Sequence, residues 1–192
     1  MTRNRIVRPE ALSIRRGAAH YPEILRSRLG TDAPDVLVLV GNKDLLGRSK
    51  TALFCSARTP GDAILRAHDA AARMRDEGIT VISSFHSPIE RECLRILLRG
   101  KQPIIVCPAR AIKALRVPAE LRSAFDAGRL LFLSPFVAHP VRVTREAAIR
   151  RNQVVAALAD RVYIAHLSPG GETSKLAASM AKWGISGAEM VG

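Results

Sequence analysis

The sequence predicts an α/β domain built on an open parallel β-sheet with helices on both faces. From residue 52 onward, short apolar runs alternate with amphipathic segments, which is the order of consecutive βαβ units. The runs are apolar throughout instead of alternating with polar residues, so they suit strands covered on both faces. Gly78, Gly100, Gly128 and Gly184 each fall where a helical pattern stops, as expected of glycines accepting a left-handed C-terminal conformation. Together these features describe a Rossmann-like arrangement.

In chain order, the apolar runs at residues 52–55, 79–83, 103–107, 130–133 and 162–165 predict five strands. Helices are expected between and after them, near residues 61–77, 88–99, 118–127, 144–160 and 172–183. The earlier run Asp35-Val36-Leu37-Val38-Leu39-Val40-Gly41-Asn42 predicts one more strand, placed at an edge and joined to the rest by the polar stretch 43–50. A last strand near 188–191 is expected to be short. The organisation that follows is a basic N-terminal extension with an edge strand at 1–50 and a Rossmann-like domain at 51–192. The first 30 residues carry seven arginines (Arg3, Arg5, Arg8, Arg15, Arg16, Arg26 and Arg28) against Glu10 and Glu23. That pattern reads either as a basic arm or as a solvated leader.

A chain of 192 residues with 47% hydrophobic content is long enough to bury one core. Lys and Arg total 30 against 17 Asp and Glu, a net charge of +13, which points to an anionic partner. Cys55, Cys93 and Cys107 lack CxxC spacing, so neither a disulfide framework nor a zinc site is expected. Cys55 and Cys107 end apolar runs and read as small core residues. No stretch approaches the roughly 18 to 20 apolar residues of a membrane span, and the N-terminus lacks a secretory signal. A soluble, cytoplasmic protein is expected, with no membrane contact.

In an open parallel sheet, ligands bind beyond the carboxyl ends of the strands, where loops lead into helix N-termini. After the first run, Ser56-Ala57-Arg58-Thr59-Pro60-Gly61 combines small residues with an arginine able to fork onto a phosphate. It has no GxGxxG pattern, so a conventional dinucleotide site is disfavoured. After the second run, Ser83-Ser84-Phe85-His86-Ser87-Pro88 supplies hydroxyls and an imidazole. His86 reads as an acid or base, or as a hydrogen-bonded structural residue. After the fifth, Ser168-Pro169-Gly170-Gly171-Glu172-Thr173-Ser174-Lys175 joins two glycines to a helix start, leaving amide donors for an anion.

The helix expected at 144–160 carries a further signal. On a 3.6-residue period Ala147, Arg151, Val154 and Leu158 share one stripe, and Ala148, Asn152, Val155 and Ala159 share its neighbour. Arg151 and Asn152 therefore interrupt apolar faces. Burying such groups unpartnered is costly, so both are expected to reach a cleft or a hydrogen-bonded network.

With these loops in place, the chain resembles the DNA-processing protein A family, also called Smf. The resemblance runs from about Tyr21 to Gly184. Tyr21-Pro22, Pro34, Gly41-Asn42 and Leu45-Leu46 look like the family's lead-in to the sheet. Its Gly-Ser-Arg loop corresponds to Ser56-Ala57-Arg58, which keeps the arginine. Its Ser-Gly-x-Ala-x-Gly-Ile-Asp stretch corresponds to Ser83-Ser84-Phe85-His86-Ser87-Pro88-Ile89-Glu90, with both glycines replaced and Glu for Asp; the family's histidine four residues on is Leu94 here. The Arg-Asn-x-Ile-Ile-Ala-Gly-Leu signature is similar to Arg151-Asn152-Gln153-Val154-Val155-Ala156-Ala157-Leu158, and the loop Ser168 through Thr173 matches a Ser/Gly-rich loop. The C-terminal winged-helix domain of many members has no counterpart in these residues. The resemblance implies single-stranded DNA binding and help in loading a recombinase partner.

The leading expectation is thus a binding module, with no cofactor and no catalytic residue, in which Ser56, Arg58, Ser83, Ser84, Arg151, Asn152, Ser168, Gly170, Gly171, Thr173 and Lys175 hold a phosphate backbone. A homodimer is one expected assembly. A small-nucleotide sensor using the same pocket is the alternative. A third is a nucleoside-monophosphate phosphoribohydrolase, suggested by Pro169-Gly170-Gly171, but Leu176 and Ala177 stand where its helix glutamate is needed.

Overall fold

The computed structural model describes residues 9–56, 59–138, 143–167 and 170–190. Strand β1 (Ala11–Arg15), helix α1 (Glu23–Leu29) and β2 (Val36–Gly41) lead into β3 (Lys50–Phe54), α2 (Gly61–Asp76), β4 (Thr80–Ser83), α3 (Pro88–Leu98) and β5 (Ile104–Val106). There follow α4 (Arg122–Asp126), β6 (Leu130–Ser134), α5 (Arg145–Leu158), β7 (Arg161–Ile164), α6 (Glu172–Lys182) and β8 (Ser186–Met190). All eight strands form one sheet in the order β1-β2-β6-β5-β4-β3-β7-β8.

Strands β3 to β8 pair in parallel, as the apolar runs predict. The sheet is nonetheless mixed, because β2 runs antiparallel to both β6 and β1. The cause is the short 42–49 connection. It must cross four strand spacings from β2 to β3, about 19 Å at about 4.8 Å each, which leaves too little chain to climb back along the sheet as well. Residues 36–41, expected at an edge, lie one place in. The edge is β1, a strand the sequence pattern does not predict; of its five side chains only Ile14 is buried.

Two cores flank the sheet. Leu25 of α1, Val154, Val155 and Leu158 of α5, and Leu176 and Met180 of α6 pack on one face against Leu37, Leu39, Ala52, Phe54 and Ile164. Ala67, Ala70, Ala71 and Met74 of α2, Cys93 and Leu97 of α3, and Ala124 of α4 cover the other, against Val38, Leu53, Val81 and Phe132. The stripe 67, 70, 71 and 74 is an i, i+3, i+4, i+7 face, and its alanines let α2 and α3 approach closely. Residues 9–50 join this assembly. Tyr21 donates its hydroxyl hydrogen to the Pro34 carbonyl (2.7 Å), and Arg28 donates to the carbonyls of Ala157 (3.0 Å) and Ala159 (2.6 Å) at the end of α5.

Gly78, Gly128 and Gly184 have the positive φ expected after a helix, whereas Gly100 does not. Gly100 is required by crowding: a Cβ there would run into Gln102 Oε1 and Arg75 Cγ. The helix expected at 118–127 is shorter, a 3₁₀ turn at Ala119–Leu121 running into α4. The three cysteines are buried and free. Burial pushes the Cys107 thiol up to about 12. Cys55 is also raised, by a hydrogen bond with Cys93 first and burial second. No described helix is long and apolar enough to cross a membrane.

Candidate functional site

The sequential strands β3 to β6 step one way across the sheet, and β7 then returns to the other side of β3. This puts the topological switch at the carboxyl ends of β3 and β7, where Phe54 pairs with Ile164 and the Ala165 amide donates to the Phe54 carbonyl (3.1 Å). Crevices at such a switch are where open α/β sheets bind ligands.

A buried carboxylate organises the loops here. Glu90, in the first turn of α3, is 5% exposed. Its Oε1 accepts from the Cys55 amide beyond β3 (3.2 Å), and its Oε2 accepts from the Ser84 hydroxyl (2.6 Å), the His86 amide (2.9 Å) and the Ser87 amide (3.4 Å) beyond β4. Ser87 completes a capping box by accepting the Glu90 amide (3.1 Å), and Pro88 starts the helix. Between Ser84 and His86, Phe85 is buried and takes φ 49°, the positive-φ position of a non-glycine residue among those described. Strain of this kind persists where the surroundings over-determine the backbone.

Arg151 enters the same region from α5. It is 5% exposed, donates Nη1 to the Cys107 carbonyl beyond β5 (3.3 Å) and Nε to Asn152 Oδ1 (2.8 Å). Burial pushes its guanidinium down from the ordinary value, while Cys107 and the Glu90 carboxylate act in the opposite sense. Its side chain lines a hollow of about 350 Å³ with Ser84, Phe85, His86 and Arg110. Asn152 lines a second, of about 120 Å³, with Gln153, Glu172 and Lys175. The Arg151–Asn152 hydrogen bond joins the two.

The expected site residues divide accordingly. Ser84 and Arg151 share the larger hollow, and Asn152 and Lys175 share the smaller. Lys175 is exposed and pairs with Glu172 (3.3 Å), which also holds Arg145 (2.8 Å); these two cations keep the Glu172 carboxyl below its usual range. Gly171 caps α6 with no side-chain bond, Gly170 beside it is exposed with φ 70°, and Thr173 sits half-buried in the first turn. Ser56 is half-buried, and its carbonyl accepts from Thr59 Oγ1 (2.7 Å). Ser83 does not face the rim: it is fully buried, with its hydroxyl donating to the Leu53 carbonyl (2.7 Å). Arg58 and Ser168 lie outside the described residues. His86 is exposed on the larger hollow. Glu90 was missed as an organiser, although Ser87-x-x-Glu90 carries the capping-box pattern in the sequence.

Residues 13–180 match the profile of the family described as DNA recombination-mediator protein A. Among solved structures, DNA processing protein A from Streptococcus pneumoniae superposes with a TM-score of 0.74 at 20% identity, covering 92% of this chain and 61% of that one. The Helicobacter pylori DNA processing protein A, whose structure describes a single-stranded DNA binding mode, gives 0.70 at 17% identity over 92% of this chain and 79% of that one. The present chain therefore spans about three fifths of the length of the Streptococcus protein. No curated protein sequence matches it.

Proposed function

Because the chain belongs to the DNA recombination-mediator protein A family, we propose that the carboxyl-end rim of its sheet binds single-stranded DNA through phosphates, without turnover. The observation that carries this reading is the seating of Arg151 beside the Ser84–His86 loop, joined through Asn152 to the Lys175 side of the rim. Lys175 and Arg145, both exposed, are held there by one half-buried carboxylate. Exposed ion pairs are weak, so a phosphate can replace Glu172 as their partner. Loading of a recombinase onto the bound strand, self-association as a homodimer and a cytoplasmic location form the finer part of the same proposal, supported by the family's mediator role. On this reading Glu172, tied to two cations, is the internal partner that a phosphate displaces, and serves neither as an acid nor as a base.

The test is fluorescence anisotropy of a labelled oligothymidine at two salt concentrations. Log affinity is expected to fall with log salt at about 0.7 per phosphate neutralised. Absent binding at low salt, or binding indifferent to salt, overturns the proposal. The larger hollow, about 350 Å³, also falls within the size range of small-ligand pockets, so a nucleotide is the second reading. A rise in melting temperature with a nucleoside phosphate, with no oligonucleotide binding, would favour it.

A further inference from the structure

The opposite rim, at the amino ends of the strands, carries a second concentration of positive charge that the proposed function does not use. Arg48 precedes β3, Lys101 precedes β5 and Arg161 opens β7; all three are exposed and, among the described residues, none is in an ion pair. Arg99 caps α3 and is exposed beside them, and Arg75 at the end of α2 is paired with Asp76 (2.7 Å). These side chains line two adjoining hollows of about 390 and 510 Å³ that share Arg48 and Gly78. The carboxylates on this face are Asp76, already engaged by Arg75, Glu77 beside Gly78, and Asp160, which accepts the Lys50 amide (2.9 Å) and faces the buried Lys50 ammonium (4.0 Å). Cations therefore remain in excess. Helix C-termini favour a neighbouring arginine, which accounts for Arg75 and Arg99. Arg48 follows a single 3₁₀ turn, Lys43–Gly47, and Lys101 and Arg161 lie on no helix.

The lining of this face differs in kind from that of the other rim. His86 stands exposed in the larger carboxyl-end hollow, offering a ring to an unpaired base, with the buried Phe85 beside it. Neither amino-end hollow is lined by Phe, Tyr, Trp or His. Bases of a single strand gain about 1–3 kcal/mol each from stacking on such rings, and this face provides none. What it offers is charge spread over the four neighbouring strands β5, β4, β3 and β7, about 14 Å wide at about 4.8 Å per strand. We infer that the amino-end rim, through Arg48, Lys101 and Arg161, is a second nucleic-acid contact that takes duplex DNA by its phosphate backbone. A duplex keeps its bases stacked internally and presents only phosphates, which is what this lining can recognise. One chain would then hold a single strand at one rim and a duplex at the other.

The experiment compares the wild-type chain with the triple variant Arg48→Gln, Lys101→Gln, Arg161→Gln on two labelled probes, a blunt duplex of two helical turns and a short oligothymidine. The rims are about 17 Å apart along a five-residue strand, beyond the screening length of about 8 Å at physiological salt, so the opposite rim is shielded from the change. Duplex affinity is expected to fall at least about tenfold, with the salt slope reduced by about 0.9 for each phosphate no longer neutralised, while oligothymidine affinity is unchanged. Failure of the wild-type chain to bind duplex, an unaltered slope in the variant, or equal losses on both probes overturns the inference. Oligothymidine binding tests the carboxyl-end rim separately. If the triple variant melts below the wild type, the three single variants are measured in its place under the same criteria.

Discussion

Replacing Glu90 by Gln tests whether one carboxylate holds the loops after β3 and β4 together. The variant keeps the shape of the side chain and removes one acceptor oxygen. With the remaining oxygen placed toward Ser84 Oγ, His86 and Ser87, its amide nitrogen confronts the Cys55 N–H, so two donors meet. A buried donor left unsatisfied costs about 1–3 kcal/mol. The three retained bonds also lose their charge assistance, which roughly doubles the strength of such interactions, and Arg151 loses the carboxylate that favours its charged form. The total loss is about 2–4 kcal/mol. For a chain of this size, about 2–4 °C per kcal/mol makes this a fall of roughly 5–15 °C in melting temperature. Urea unfolding followed by fluorescence of the sole tryptophan, Trp183, together with calorimetry, measures it. A loss below about 0.5 kcal/mol, the range of ordinary surface substitutions, would show that the four hydrogen bonds are incidental.

Three other outcomes are expected. Arg151→Ala leaves the Cys107 carbonyl and Asn152 Oδ1 without their donor and should cost about 2–4 kcal/mol while weakening oligothymidine binding, whereas variants of exposed Lys175 weaken binding with stability intact; anisotropy and urea titration separate the two. Stability should fall as pH rises from about 9 to about 12, because folding keeps the Cys107 thiol protonated up to about 12 while the unfolded chain ionises near its ordinary value. Lys50, lowered by burial, acts with the opposite sign, so the Cys107 contribution is isolated by the shallower alkaline slope of Cys107→Ala in urea titrations at successive pH values. Gly41→Ala should destabilise by about 2–4 kcal/mol, since φ is +110° and a Cβ would stand 2.5 Å from the Leu130 carbonyl oxygen; a wild-type melting temperature would contradict that geometry.

The parallel strands and long helices were legible because each buried run and each amphipathic stripe is continuous in the sequence. Strand β1 was not, since its only buried side chain is Ile14 and arginines surround it. Arg151 was legible as a charge on an apolar stripe, and it proves buried and partnered. Ser83 was misread because residue type alone does not fix the side of a strand. In the sheet it shares the phase of Val81, which faces α2 and α3, and so its hydroxyl turns inward to Leu53. The joint role of Glu90 was hidden for another reason. The capping box is local, but the Cys55 amide lies 35 residues away and is brought to Glu90 only by the pairing of β3 with β4.

That arrangement also decides which groups remain for an anion. A loop that cradles phosphate does so with amides pointing outward. Here the amides of Cys55, His86 and Ser87 are already spent on the Glu90 carboxylate, so the loops after β3 and β4 are stiffened by the interactions that take their donors away. On the proposed function, recognition at this rim falls to side-chain charge, in the buried Arg151 and the exposed Arg110, Lys175 and Arg145, and to the uncapped start of α6. Guanidinium and ammonium groups on flexible stems tolerate varied phosphate positions better than a fixed ring of amides does. Under that proposal the rim suits a repeating backbone read without regard to base sequence, and its affinity is expected to carry the salt dependence of ion exchange.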